Sequence, residues 1–304
     1  MKFNNRVYGA VGISSINSNW NADFTGRPKT LSTGEIFGSD KAFKYPIKKM
    51  WENEGKKIMY VKSYKTEKGK LQPLELNERY EKVFGKKLDD KTESKEVLKN
   101  LFAAEDVINF GATFAEKKQN ISITGAVQVM QGMNIYEQTE IEVQDILSPF
   151  KNSENKDAEA SSLGKKVTVD EAHYLYGFSV NPQNYDIYND IIDNFEGYTV
   201  EAYENFKRGC LLGATALNTN SKSGCENEFA LFIKLKENSE IYLPNVAEYI
   251  KFYKEDKNVY DLSKLGEFLE SHSDDIELVE VYCNKFNTEI NCGKLNCSVM
   301  DIYD

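Results

Sequence analysis

The sequence predicts an α+β fold in ferredoxin-like βαββαβ order, and three observations lead to it. Several segments alternate β-branched or aromatic residues with small or polar ones, the period-two signature of strands. Two other stretches repeat apolar residues at three- and four-residue spacing behind Ser39 or Thr199, as capped amphipathic helices do. Setting aside polar, weakly periodic insertions leaves strand, helix, strand, strand, helix, strand.

Val7 to Ser14 (VYGAVGIS) reads as a buried first strand with close-packed glycines. Ser15 to Thr33 follows as a loop rich in Asn, Ser, Thr and Gly, with Trp20, Phe24, Arg27 and Lys29 among them. Neutral donors, aromatic faces and cations in one place suit a polyanion with exposed bases. A polar loop whose Trp20 plugs the core fits the same composition. Ser39 caps a helix through about Gly55, with Phe43, Ile47, Met50 and Trp51 on one face. Lys41, Lys44 and Lys48 form a basic stripe on another face. Pro46 implies either a kink or a helix that begins near Tyr45, and the second case shortens the stripe. Lys57 to Tyr64 (KIMYVKSY) alternates as a second strand.

Residues 65–105 are charged and weakly periodic and read as an inserted subdomain with a helix near Ser94 to Ala104. Ile108 to Phe114 and Ile121 to Gln131 read as strands, Gly125 allowing a close backbone approach, with Met133 and Asn134 at the exit. Ile141 to Leu147 and Val167 to Val169 are strand-like and flank polar low-complexity sequence, Ser148 to Lys166, expected to project as a hairpin. Thr199 caps a helix to about Leu217 with Val200, Tyr203, Phe206 and Cys210 on its apolar side. Glu228 to Lys236 (EFALFIKLK) alternates as the closing strand. The order is also that of RNA-recognition modules, so the fold is RRM-like. The aromatic motif with which such modules stack RNA on an open sheet is absent.

A chain of 304 residues suits one large domain or two modest ones. With 40% hydrophobic and 12% aromatic residues it is a folded chain with a highly charged surface. No apolar run is long enough to span a membrane, and Met1 to Arg6 lacks the apolar segment of a secretory leader, so a cytoplasmic protein with no membrane partner is expected. Cys210, Cys225, Cys283, Cys292 and Cys297 are odd in number and form no CxxC pair, which predicts reduced structural thiols and no metal site. The net charge of -10 is unevenly spread. Residues 1–100 hold 21 Lys+Arg against 13 Asp+Glu, whereas residues 237–304 hold 6 against 15. Such polarity suits self-association through the two ends, and equally suits solvated faces that keep the chain soluble.

Two histidines, His173 and His272, give little scope for acid-base catalysis. Asp170 to His173 spells DEAH, but without the phosphate loop GxxxxGK[ST] the match is a coincidence. No dinucleotide fingerprint or nucleophile elbow occurs, so no cofactor is expected. Asp23 and Asp40 have the chemistry of a metal-dependent nuclease, though loop and helix-cap roles explain both more cheaply.

The run Val7 to Thr30 (VYGAVGISSINSNWNADFTGRPKT), IFGSDKAFKY from Ile36, ITGAVQVMQG from Ile123 and SSLGKKVTVDEAHYLYGFSVNP from Ser161 resemble the CRISPR-associated Cascade backbone subunit of subtype I-B. That family belongs to the repeat-associated mysterious protein superfamily. The resemblance implies one RRM-like palm over residues 1–304, a finger insertion at about 65–105, a thumb β-hairpin at about 141–172 and acidic C-terminal elements at about 237–304 packed on the palm. It implies copies stacked head to tail along a CRISPR RNA, held by sugar and phosphate, with bases left free to pair with target DNA. Other copies of the chain, the Cascade large subunit and the subunit capping the RNA 5′ end are the implied protein partners. The expected RNA contacts are Ser15, Asn17, Asn19, Trp20, Arg27 and Lys29 in the first loop and Lys41, Lys44 and Lys48 on the first helix. Gln128, Gln131 and Met133 at the strand exit and Lys165, Lys166 and His173 on or beside the thumb complete the set. The subtype implies a non-catalytic role. The alternative is a metal-dependent endoribonuclease like related type III backbone subunits, using Asp23. A monomeric RNA-binding module is a weaker third reading.

Overall fold

The computed structural model describes residues 1–147 and 163–304. The segment 148–162, where the sequence places the tip of a projecting hairpin, lies outside the described residues.

Strand β1 (Val7–Ser18) is buried from Val7 through Ser15 because it is covered on both faces. Val7, Val11 and Ile13 enter one apolar cluster, and Tyr8 and Ala10 the other. After the short β2 (Phe37–Gly38), helix α1 (Asp40–Asn53) starts at Ser39, whose side chain accepts from the Ala42 N–H. Pro46 lies inside this helix without ending it, so Lys41, Lys44 and Lys48 share one continuous element.

The expected strand at Lys57 to Tyr64 is corrected: residues 57–63 form no strand. Their backbone groups bond to side chains from distant segments. The Asp106 carboxylate accepts the N–H groups of Met59 and Tyr60, both at 2.8 Å, and Arg79 donates to the carbonyls of Ile58 and Met59. A hairpin of β3 (Tyr64–Glu67) and β4 (Lys70–Pro73) leads to α2 (Leu76–Phe84), α3 (Ser94–Phe102) and α4 (Glu105–Phe110). Tyr80, Val97, Leu101 and Phe102 join the same apolar cluster as Val7 and Val11, so this segment shares the main core.

Strand β5 (Gly111–Glu116) pairs with β6 (Gln119–Thr124), so residues 108–110 are helical where the sequence predicts strand. Gly111 turns the chain at φ 77°, and a Cβ there would lie 2.2 Å from the Ile123 carbonyl oxygen. The expected strand 121–131 breaks after Thr124 and resumes as β7 (Val127–Val129), followed by β8 (Gly132–Asn134). Strand β9 (Ile141–Leu147) pairs in register with the first third of the long β10 (Leu163–Val180).

Helix α5 (Val200–Ala216) is capped by the Thr199 side chain, which accepts from Ala202 N–H. It lies on α1 so closely that a Cβ at Gly209 or Gly213 would come within 2.6 or 2.7 Å of Ile47 side-chain carbons. Strand β11 (Cys225–Leu235) is followed by β12 (Lys251–Lys254), β13 (Asn258–Asp261), α6 (Ser263–Glu270), β14 (Ile276–Cys283), β15 (Thr288–Asn291) and β16 (Ser298–Asp301).

These strands make a nine-stranded sheet in the order β16-β14-β11-β1-β10-β8-β2, with β7 and β9 also on β10. Strand β1 is antiparallel to both neighbours. Helices α1 and α5 cover one face, where Phe43, Ile47, Trp51 and Phe206 meet Tyr176, Phe178 and Phe232. Leu262, Leu265, Val246 and Ile250 cover the other over Phe229, Leu231 and Ile233, so both faces of the central strands are buried. No helix among the described residues is long and apolar enough to cross a membrane.

Candidate nucleic-acid interface

The first loop and helix α1 meet along one groove. Its first part, about 350 Å³, is lined by Asp23, Phe24, Lys29, Lys41, Tyr45 and Lys222 among others. The second, about 530 Å³, continues from Lys41 and Tyr45 to Lys44, Lys48, Tyr60 and Phe110. Lysines and aromatic rings thus line both parts, together with Asp23 and Asp40, and that combination of cations and rings suits a phosphate backbone with unstacked bases.

The loop is held from inside. The Lys222 ammonium donates to the Asn19 carbonyl at 2.7 Å and to that of Trp20. Burial lowers its pKa. Trp20 is fully buried and its indole N–H donates to the Tyr176 hydroxyl at 2.6 Å. Asn19 is also buried, its amide donating to the carbonyls of Gly26 and Val167. At the tip, one Asp23 carboxylate oxygen accepts from the Thr25 N–H and hydroxyl, both at 2.7 Å, and from Arg27 N–H at 3.0 Å. The Thr25 hydroxyl first, then these amides, keep the Asp23 carboxyl below its ordinary range. The turn leaves Phe24 wholly exposed at the rim.

The cations differ in what already holds them. Among the described residues Arg27, Lys29 and Lys41 have no carboxylate partner. Lys44 pairs with Asp40 at 3.0 Å and sits 5.3 Å from the Phe110 ring centre. Lys48 lies 3.7 Å from the buried Asp106. Burial lowers the Lys48 pKa, with Asp106 opposing. Lys48 therefore balances the carboxylate that organises residues 59 and 60.

The remaining sequence-predicted residues lie elsewhere. Asn17 is exposed at φ 47° near the end of β1. Gln128 and Gln131 are exposed, Met133 is half-buried opposite Phe37 and Leu175, and Lys165 and Lys166 face Asp145 and Gln144 across the β9–β10 pair. None of these lines the groove. Ser15, Asn19, Trp20 and His173 are corrected as surface contacts, because all four are buried in the core of the chain. Ser15 sits 2.8 Å from the Ser18 hydroxyl. The sequence reading missed Tyr45, Tyr60, Phe110 and Lys222 as groove residues. Tyr45, beside Lys44 on a capped helix, is the one that a local signal marks.

His173 belongs to a buried polar network. Nδ1 lies 2.6 Å from a Glu228 carboxyl oxygen and Nε2 3.0 Å from one of Glu171, an arrangement that the imidazolium, with a donor on each ring nitrogen, satisfies at both ends. Burial alone would lower its pKa, but the charge and hydrogen bond of Glu228, then those of Glu171, outweigh burial and raise it. Glu228 also accepts from the Tyr260 hydroxyl and the Asn258 amide, and Glu171 from Lys254 at 2.7 Å.

Asp23 and Asp40 stand apart in role, one in the turn and the other in the first turn of α1. Among the described residues no group of three or more His, Cys, Asp or Glu is arranged to hold a metal ion.

Many solved structures share this fold. One, described as a CRISPR RNA-guided surveillance complex, has a chain 16% identical, with a TM-score of 0.50 over 91% of this chain and 88% of that chain. Another, a CRISPR RNA-guided surveillance complex, pre-nicking, is 14% identical, with a TM-score of 0.55 over 97% and 96%. No curated protein matches the chain in sequence. A family model for the CRISPR-associated protein Cas7 matches residues 5–270, which include β1, the groove, the long β10, α5 and β11. With its mixed α+β fold and most of its length matched, the chain belongs to the Cas7 family of CRISPR-associated proteins.

Proposed function

We propose that this chain is the non-catalytic backbone subunit of a subtype I-B Cascade complex in the cytoplasm. Copies polymerise head to tail along CRISPR RNA, grip its sugar-phosphate backbone and leave bases free to pair with target DNA. The observation that carries this reading is the groove in which Lys29 and Lys41 stand beside Phe24, Tyr45, Tyr60 and Phe110. Contacts to phosphate and to the flat face of any base ignore spacer sequence, as a guide holder must.

In this reading the central strands, in the order β11-β1-β10-β7/β8, are an RRM-like palm, residues of about 65–105 the finger, and 141–172 the thumb. Residues 237–304, packed on the palm, carry the acidic surface that meets the basic N-terminal region of the next copy, an open contact that builds filaments. The large subunit and the subunit capping the RNA 5′ end complete the assembly.

Light scattering with absorbance ratio, on the protein with and without a repeat-plus-spacer RNA in magnesium, tests the reading. Multi-copy assemblies on intact RNA are expected for unrelated spacers alike. A one-to-one complex would instead indicate a lone RNA-binding module. Shortening of the RNA that stops in Asp23→Ala would make the chain a ribonuclease, a role that the groove position of Asp23 keeps in view.

Residue contributions follow from partnering. Lys29→Ala with Lys41→Ala is expected to weaken RNA binding on the order of tenfold or more. The salt slope should fall by about 0.7 per lysine that contacts phosphate. Alanine at Lys44 and Lys48 that left affinity and slope unchanged would remove the second half of the groove from the interface.

A further inference from the structure

The C-terminal segment beyond residue 270 lies outside the part of the chain that the family model matches, and it holds chemistry that the RNA groove does not use. Cys292 and Cys297 bracket the loop between β15 and β16, and their Sγ atoms stand 2.7 Å apart. Both are half-buried, whereas Cys210, Cys225 and Cys283 are buried. The loop's own backbone sets this approach. Leu295 N–H donates to the Cys292 carbonyl at 2.8 Å, and Leu295 packs so tightly on α6 that a Cβ at Gly266 would lie 2.9 Å from its nitrogen.

We propose that Cys292 and Cys297 are a redox-active dithiol, a modification site that a low-molecular-weight disulfide such as glutathione disulfide converts to an intramolecular disulfide. The sulfurs need to close only the remaining distance to a bond of roughly 2.05 Å. In the first step one cysteine thiolate attacks a glutathione sulfur, forming a mixed disulfide and releasing one glutathione thiolate. In the second step the other cysteine attacks the protein sulfur of that mixed disulfide and releases the second glutathione. Two protein thiols are oxidised, one glutathione disulfide is reduced to two thiols, and the two protons pass to the departing glutathiones. Burial first, then the neighbouring Cys292, pushes the Cys297 thiol up to about 12, so the thiolate is scarce at neutral pH and exchange at Cys297 should quicken as pH rises.

The modification acts on an edge. Strand β16 closes one side of the nine-stranded sheet through four residue pairs with β14, from Glu280–Ser298 to Cys283–Asp301. A covalent link across the preceding loop ties that strand to β15 and reduces its fraying.

The test uses the full chain, treated with glutathione disulfide under native conditions, alkylated and mapped by mass spectrometry. The expected product has Cys292 joined to Cys297, a loss of two hydrogens, and alkylated Cys210, Cys225 and Cys283 after denaturation. Cys297→Ser should instead keep one glutathione on Cys292, and Cys292→Ser should keep one on Cys297. Amide exchange at residues 298–302 should slow in the oxidised protein. Five alkylated thiols after treatment, or stable glutathionylation of Cys292 or Cys297 in the unaltered chain, would overturn the dithiol. Unchanged exchange at 298–302 would overturn the pinning of β16.

Discussion

Trp20→Ala is expected to cost about 3–5 kcal/mol of folding stability, read as a lower urea midpoint with an unchanged slope. The ring is wholly buried between the start of the groove loop and β10. Its N–H donates to the Tyr176 hydroxyl, which in turn donates to the Ser39 carbonyl at 3.4 Å, at the cap of α1. Tyr176 packs against Phe43 at 4.9 Å between ring centres, so removing Trp20 opens a cavity beside the helix that carries the lysine stripe. Trp20→Phe keeps most of the volume but strands the Tyr176 hydroxyl acceptor, and about 1–2 kcal/mol is expected. Phe24→Ala should behave in the opposite way. That ring packs on little, so stability should shift by no more than about 0.5 kcal/mol, while RNA affinity falls by about 1–3 kcal/mol if a base stacks on it. A stable Trp20→Ala protein defective only in RNA binding would mean that the indole leaves the core to meet RNA.

This pair of rings shows what the sequence can and cannot say. Both sit in a loop of the same composition, and composition does not give side-chain direction. Period-two counting along β1 does not give it for Ser15 either, because residues of both parities from Val7 through Ser15 are buried while Asn17 of the same parity is exposed. On β10 the even positions Ala172, Tyr174 and Tyr176 enter one core and Leu175 the other, so His173 is flanked by burial on both faces. Helices α1 and α5 were legible because cap and apolar stripe are local signals. Residues 57–63 carry an equally clear alternation, yet their backbone bonds to Asp106 and Arg79, partners that no local pattern reveals. Likewise Lys29, Lys41 and Lys44 could be read as candidates from their own segments. Tyr60, Phe110 and Lys222 reach the groove only through the tertiary fold.

His173→Ala is expected to destabilise the chain by about 3–5 kcal/mol near pH 6, because it leaves the Glu228 carboxylate buried without its cation. Tyr260 and Asn258 would still donate to Glu228, but neither supplies charge. The pH dependence separates this account from simple loss of packing against Phe252, 4.4 Å away between ring centres. His173 has its folded pKa raised above the ordinary 6.5, so its contribution is complete below 6.5 and is lost as pH rises through the folded value. For Glu171, burial is outweighed by the hydrogen bonds from Lys254 and His173, and its pKa lies below the ordinary 4.5. Its contribution is complete above 4.5 and is lost as pH falls through the folded value. The stability gap between the unaltered protein and His173→Ala should therefore be widest between about pH 4.5 and 6.5 and should narrow on both sides. A gap that stayed level into the alkaline range would mean a neutral imidazole that contributes by packing alone. The network joins β10 and β11 to β12 and β13, so its loss should also speed amide exchange at residues 251–261, where the C-terminal cover rests on the sheet.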